Sequence, residues 1–342
     1  MKKIACFLIL STLLVACSQT DSSQESTVKS HYLVNRAPLE PTPYLELPLG
    51  SIKAEGWLQD QLQRMAKGLT GHLDEVYPEV VGARNGWLGG DGDGWERGPY
   101  WIDGLLPLAY ILDDERLKEK AQTWIEWTLN NQAESGYLGP IPFETDPEPE
   151  KGIQKGPRED WWPKMVMLKV LQQYYQATGD ERVITALTKY FQYQLKTLPE
   201  KPLDYLSLWA NRRAGDNLMV VYWLYNITGD AFLLELGDLI QEQTFPWQQI
   251  FTNAENAVQY QDVWHYNKIK RFPFDQEEIG NLTLSKVPGL HTVNVAQSLK
   301  QPMVNFQKSK DSQALPAVKK ALQDLQQYHG QAQGMYGGDE PL

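Results

Sequence analysis

The chain has 342 residues, 42% of them hydrophobic, which is enough for one large domain or two smaller ones. It carries 43 acidic against 32 basic residues, a formal net charge of -11, and no basic stripe interleaved with aromatics, which excludes nucleic acid as the expected partner. Twelve Trp and 17 Tyr outnumber nine Phe, a bias toward amphipathic rings that fits a wet, hydroxyl-rich ligand and equally fits surface packing.

The N-terminus reads as a targeting segment. Lys2 and Lys3 precede the apolar run Ile4–Ala16, which has the length of a secretory h-region and is too short to span a bilayer. The run ends Leu14-Val15-Ala16-Cys17, similar to a bacterial lipobox in which Cys17 becomes the lipidated N-terminus. Residues 1–17 are therefore expected to be a lipoprotein signal. Residues 18–48 form a polar tether and lead-in segment, and 49–342 form the folded body. The expected location is the cell envelope, lipid-anchored at the outer membrane or in the periplasm, with the lipid as the sole membrane contact. Cys6 and Cys17 are the two cysteines, so the body holds no thiolate metal ligand, disulfide or cysteine nucleophile.

The body reads as helices joined by sharp loops. Leu58, Leu62, Met65, Ala66 and Leu69 fall at helical spacing within Ile52–Leu69. Gly98-Pro99 is expected to turn the chain before a helix over Leu105–Leu112, and Leu117–Leu129 follows after Asp113-Asp114. Trp161–Ala177 runs into Thr178-Gly179-Asp180, and Met219–Ile227 into Thr228-Gly229-Asp230. Glycine closing one helix and aspartate capping the next is the chemistry of a tight helical hairpin. Val293–Phe306, broken at Pro302, and Ser312–Tyr328 repeat the arrangement around Lys310-Asp311. Two long loops intervene, Glu134–Glu159 and Phe251–Gly289. The expected class is all-α, an (α/α)6-barrel-like toroid of helical hairpins, with about nine or ten helices in place of twelve. A tandem helical-repeat binding protein is the competing architecture.

Three helix starts combine Trp, Arg and acid. In Gly94–Gly104, Trp95, Tyr100 and Trp101 offer flat apolar faces, Glu96 and Asp103 carboxylates, and Arg97 a planar fork of donors. That set suits a pocket that stacks sugar rings and bonds hydroxyls; the alternative is a loop whose aromatics seal a bundle end. Arg158–Pro163 repeats it with Asp160, which is equally an N-cap, and Trp209–Asn217 with Asp216. If those helices line a toroid, the three clusters converge. His291 and Asn294 open a later helix one turn apart and are candidates for sugar hydroxyls. His265, His72 and His329 are weaker candidates, and no histidine or acid spacing predicts a metal site.

Gly94–Asp114, the Thr-Gly-Asp hairpins, Gly289–Asn294 and the terminal Gly334-Met335-Tyr336-Gly337-Gly338-Asp339-Glu340 together resemble glycoside hydrolase family 127, the β-L-arabinofuranosidase-like proteins, from about Leu49 onward. The resemblance implies an (α/α)6 barrel followed by β-sandwiches. It also implies a retaining mechanism with a cysteine nucleophile held at zinc by a glutamate and further cysteines. Glu340 takes the place of the family's general acid/base and His291 that of its sugar-contacting histidine. Asn294 stands where members tend to carry arginine. The family's Glu-x-Cys motif has no counterpart in these 342 residues, so the chain is expected to be an incomplete or inactive form, with zinc confined to full-length relatives. The expected partner is an oligo- or polysaccharide ending in L-arabinofuranose or a related sugar. A non-catalytic glycan-binding lipoprotein is the rival reading.

Overall fold

The computed structural model describes residues 33–145, 148, 150–253, 272–280, 282 and 291–337. Cys17, His265 and Glu340 lie outside the described residues. Fourteen α-helices stand among those described: α1 Gly56–Lys67, α2 Leu69–Val76, α3 Arg97–Leu112, α4 Glu115–Asn130, α5 Trp161–Thr178, α6 Glu181–Thr197, α7 Trp209–Arg212, α8 Ala214–Thr228, α9 Phe232–Gln243, α10 Trp247–Thr252, α11 Gln276–Gly280, α12 Thr292–Ser298, α13 Gln301–Ser309 and α14 Ala314–His329. A 3-10 turn covers Gly86–Leu88. No β-strand occurs among the described residues, where one isolated bridge joins Gly330 and Tyr336.

The helices form two layers. Helix α3 packs on α5, α5 on α8 and α8 on α13, while α4 lies against α6 and α6 against α9. The sequence explains which layer each occupies. Helices α5 and α8 are apolar nearly all round and are buried on almost every face, from Trp161 to Tyr174 and from Ala214 to Tyr225. Helices α4 and α6 bury one stripe each, Leu117, Ala121, Trp124, Ile125 and Thr128 in α4, and keep a charged outer face. An all-α toroid of hairpins, inner helix followed by outer helix, is the observed architecture.

The hairpin turns follow the capping chemistry. Gly179 and Gly229 end α5 and α8 at φ +71° and +77°, the left-handed region where glycine carries no steric penalty. The corresponding places after α3 and α13 are taken by Asp113 and Lys310 at φ +57° and +56°, each at a cost of about 1 kcal/mol. Asp114 and Asp180 accept the Leu117 and Arg182 amides at 3.1 and 3.0 Å, capping α4 and α6. Asp230 makes no such side-chain cap; α9 begins after Ala231.

Helix α3 corrects the expectation for its region. It begins at Arg97, eight residues before Leu105, so Gly98 and Pro99 lie in its first turn instead of preceding it. Proline fits there because the first-turn amides have no intrahelical acceptor. The shift matters for function, because it places Tyr100, Trp101 and Asp103 on a helix. The short helices α2, α7, α10 and α11 had no sequence signal of their own.

A smaller apolar cluster holds the later elements together: Phe245, Trp247, Ile250 and Phe251 meet Ile279, Val295, Ala317, Ala321 and Leu325. At the ends of the described body, Trp57 and Leu58 on α1 and Leu315 and Leu322 on α14 remain exposed.

Candidate functional site

Arg213, between α7 and α8, organises the site. Its side chain is buried, and each of its faces and edges meets a different element. Nε donates to Asn294 Oδ1 at 2.7 Å, and Nη1 donates to Tyr100 Oη at 3.2 Å and Glu96 Oε2 at 3.5 Å. The guanidinium plane stands 4.3 Å from the Trp162 ring centroid and 5.2 Å from that of Trp209. Arginine is suited to this place because its weakly hydrated planar cation stacks on rings and donates along its edge at once. Glu96 also accepts from Trp162 Nε1 at 2.5 Å, and the Tyr100 and Trp162 rings lie 5.8 Å apart. Residues from the starts of α3, α5, α7 and α12 thus meet around one cation.

Toward α12, Gln297 Nε2 donates to Tyr100 Oη at 3.1 Å. His291 is buried at φ +57°, with its ring 5.2 Å from that of Trp209. Below this lie two ion pairs. Lys300 donates to Asp216 Oδ1, and Lys169 to Asp103 Oδ2 at 3.0 Å, with Gln173 Nε2 on Asp103 Oδ1 at 3.3 Å. Burial raises the Asp216 carboxyl above the ordinary aspartate range, against the opposing pull of the Lys300 ammonium.

Four buried polar atoms of this cluster have no hydrogen-bond partner: Asp216 Oδ2, Asn294 Nδ2, Gln297 Oε1 and Gln173 Oε1. Buried polar groups in native proteins are nearly always satisfied. Those of Asp216, Asn294 and Gln297, two acceptors and one donor on residues around Arg213 and Tyr100, match a ligand that carries several hydroxyls on a small apolar ring.

Of the residues singled out from sequence, Glu96, Tyr100, Asp103, Asp216, His291 and Asn294 are brought together here. Trp95, Arg97 and Asp160 form an adjacent brace. Asp93, fully buried, accepts from Arg97 Nε at 2.8 Å, from the Trp95 amide and from the Gln154 amide. Arg97 Nη2 reaches the Gly152 carbonyl at 2.8 Å. Asp160 caps α5 through the Trp162 amide at 3.1 Å and accepts Trp95 Nε1 at 3.0 Å. These bonds tie the loop before α3 to the loop before α5. Trp101 points the other way: it is 8% exposed, donates Nε1 to the Thr70 carbonyl and packs on Trp124. Its position one residue after Tyr100 on a helix turns it about 100° away, a separation that the loop reading of this segment concealed.

Sequence reasoning passed over Arg213, Trp162, Trp209, Gln297 and Lys300. Arg213, Trp162 and Trp209 lay within the Trp-Arg-acid clusters, and that juxtaposition was their signal. Gln297 and Lys300 carried no signal, because their role depends on where α12 docks.

Among the described residues, no group of three or more His, Cys, Asp or Glu side chains is placed to hold a metal ion. The cysteine–zinc centre that the resemblance implies therefore has no residues to build it there. None of the described helices is long and apolar enough to cross a membrane.

No curated protein and no solved structure matches the chain. A family model does match, over residues 25–340, described as the β-L-arabinofuranosidase GH127 catalytic domain. With that match covering most of its length, and with an all-helical hairpin toroid as its fold, the chain belongs to the GH127 β-L-arabinofuranosidase catalytic-domain family.

Proposed function

We propose that the Arg213 cluster holds the terminal L-arabinofuranose, or a closely related furanose, of a glycan. The unpartnered buried polar atoms of Asp216, Asn294 and Gln297, around Arg213 and Tyr100, carry this reading, with Gln173 Oε1 farther along α5. The ring lies against the aromatic faces. Its hydroxyls donate to Asp216, Gln297 and Gln173 and accept from Asn294. Such contacts discriminate strongly, because a ligand lacking a hydroxyl leaves a buried group unpaired.

Glu340 is the general acid/base of the reading. It protonates the departing glycosidic oxygen and later removes a proton from water. A zinc-held thiolate supplies the nucleophile in the family mechanism. The cysteines of this chain are Cys6 and Cys17, both in the leader segment. The 342-residue polypeptide is thus read as a sugar-binding form with little or no turnover, tethered to the cell envelope through lipid on Cys17.

The test is titration of the purified protein with an aryl β-L-arabinofuranoside, followed by tryptophan fluorescence and by nitrophenol release. Saturable binding with Kd about 1 mM or tighter is expected, weakened in Glu96→Gln and Asn294→Leu, with no measurable release. Absence of binding in wild-type protein would refute the site. Robust turnover abolished by Glu340→Gln would refute the inactive form and show that another group serves as nucleophile.

A further inference from the structure

A cavity of about 510 Å³ opens between the loop before α5 and the loop before α7, lined by Phe143, Lys155, Arg158, Glu159, Lys201 and Tyr205. Neither the brace nor the Arg213 cluster uses it. Its size is that of a small-molecule site, and its charge is unusual for a chain of net charge -11.

Arg158 is the key residue. It is 6% exposed and forms no ion pair among the described residues; Asp91 is the carboxylate whose charge acts on it from a distance. Its Nη1 and Nη2 donate to the carbonyls of Ile141 and Gly90 at 3.0 and 3.1 Å, and Nε has no partner. Its guanidinium lies 3.8 Å from the Phe143 ring centroid. A buried guanidinium stays charged, and a buried charge without a counter-charge is costly. Lys201, at the opposite wall, also forms no ion pair among the described residues; its ammonium lies 5.6 Å from the centroid of the exposed Tyr205 ring. Lys155 is paired with Glu150 at 3.0 Å, leaving Glu159 as the acidic group of the lining.

Each wall pairs an aromatic ring with a cation. Phe143 and Arg158 form one, Tyr205 and Lys201 the other, and neither cation forms an ion pair among the described residues although Glu159 also lines the cavity. A sugar ring bearing a carboxylate satisfies both walls at once, whereas a neutral sugar leaves the charges unmet and a small carboxylate leaves the rings unused. The location adds a third observation. The segment bearing Arg158 continues directly into Trp162, and that bearing Tyr205 into Trp209, the two rings that flank Arg213. The cavity and the furanose cluster are therefore built from the same two loop segments.

We propose that this cavity is a second glycan subsite that takes a uronate residue of an acidic polysaccharide whose furanose end occupies the Arg213 cluster. The polysaccharide connection rests on the furanose reading above; the uronate subsite itself is tested separately. Substrates carrying acidic sugars near the furanose terminus are then preferred over neutral ones.

The test uses the full chain and calorimetric titration with trigalacturonate, with neutral galactotriose, and with acetate as a carboxylate lacking a sugar. Trigalacturonate is expected to bind and to weaken as salt rises. Lys201→Glu and Tyr205→Ala, both on exposed side chains, are each expected to weaken it about tenfold. Glu96→Gln is expected to leave it unchanged while weakening the aryl arabinofuranoside. Loss of furanoside binding alone would refute the Arg213 reading and leave the uronate subsite standing. Equal affinity for galactotriose, displacement by acetate at equal concentration, or indifference to both cavity substitutions would overturn the uronate subsite.

Discussion

Replacing Arg213 with methionine removes the cation on which four helix starts converge. Methionine keeps much of the volume and some contact with Trp162 and Trp209, so the loss is mainly electrostatic. The bond to Asn294 Oδ1 at 2.7 Å is charge-assisted and contributes about 1.5–3 kcal/mol. The pair with Glu96 is separated by 3.5 Å. At that distance unit charges interact by about 1 kcal/mol in water and by about 5 kcal/mol at an effective dielectric near 20. Because the Glu96 side chain retains 21% of its surface in solvent, a value of about 2 kcal/mol is expected. Methionine's own burial offsets part of the total, leaving a net loss of about 3–4 kcal/mol. For a body of this size, with an unfolding entropy of about 0.6 kcal/mol/K, that is a fall in Tm of about 5–6 °C. The assay is urea and thermal unfolding of wild type, Arg213→Met, Glu96→Gln and the double variant. Neutralising Glu96 as well relieves the stranded carboxylate, so the double variant is expected to be more stable than the sum of the single losses, by about 1–2 kcal/mol. A loss below about 1 kcal/mol in Arg213→Met, or additivity within about 0.5 kcal/mol, would show that Arg213 is not the organising group.

Two further outcomes are expected. Burial pushes the Lys164 ammonium from 10.5 down to about 7, although its Nζ donates to the Arg158 and Asp160 carbonyls. Between those two values the folded state holds the neutral amine while the unfolded state holds the cation. The unfolded state binds more protons there, so stability rises with pH, by at most about 1.4 kcal/mol per unit. Urea midpoints of wild type should climb through that window relative to Lys164→Met, and parallel profiles would contradict the assignment. In the native host, Cys17→Ala is expected to leave the precursor without lipid and move the protein out of the membrane fraction; unchanged fractionation would rule out the anchor.

The inner layer was legible because its sequence is apolar on all sides and its hairpins carry Gly-Asp punctuation. Those signals are local, and local chemistry determines where a helix stops. They located α4 and α5 to within two residues. The start of α3 was concealed because Gly98-Pro99 reads as a turn in isolation, whereas proline in a first turn costs a helix nothing. The same error hid the division of labour between Tyr100 and Trp101, which only helical phase reveals.

The candidate site divides along a similar line. Acids and aromatics at helix starts were visible as residue types, but their partners were not. Trp95, Arg97 and Asp160 have the same composition as the residues around Arg213, yet they brace two loops through Asp93. The difference lies in which polar atoms remain unsatisfied once the chain has folded. The brace uses its donors and acceptors within the protein, while the Arg213 cluster leaves Asp216 Oδ2, Asn294 Nδ2, Gln297 Oε1 and Gln173 Oε1 without partners. A structural element gains stability by completing its hydrogen bonds, whereas a binding site keeps some of them open for its ligand. Removing one such atom therefore separates the two roles. Asn294→Asp deletes the unpartnered Nδ2 donor and keeps the oxygen that accepts from Arg213 Nε, so its effect on furanoside affinity should exceed its effect on stability.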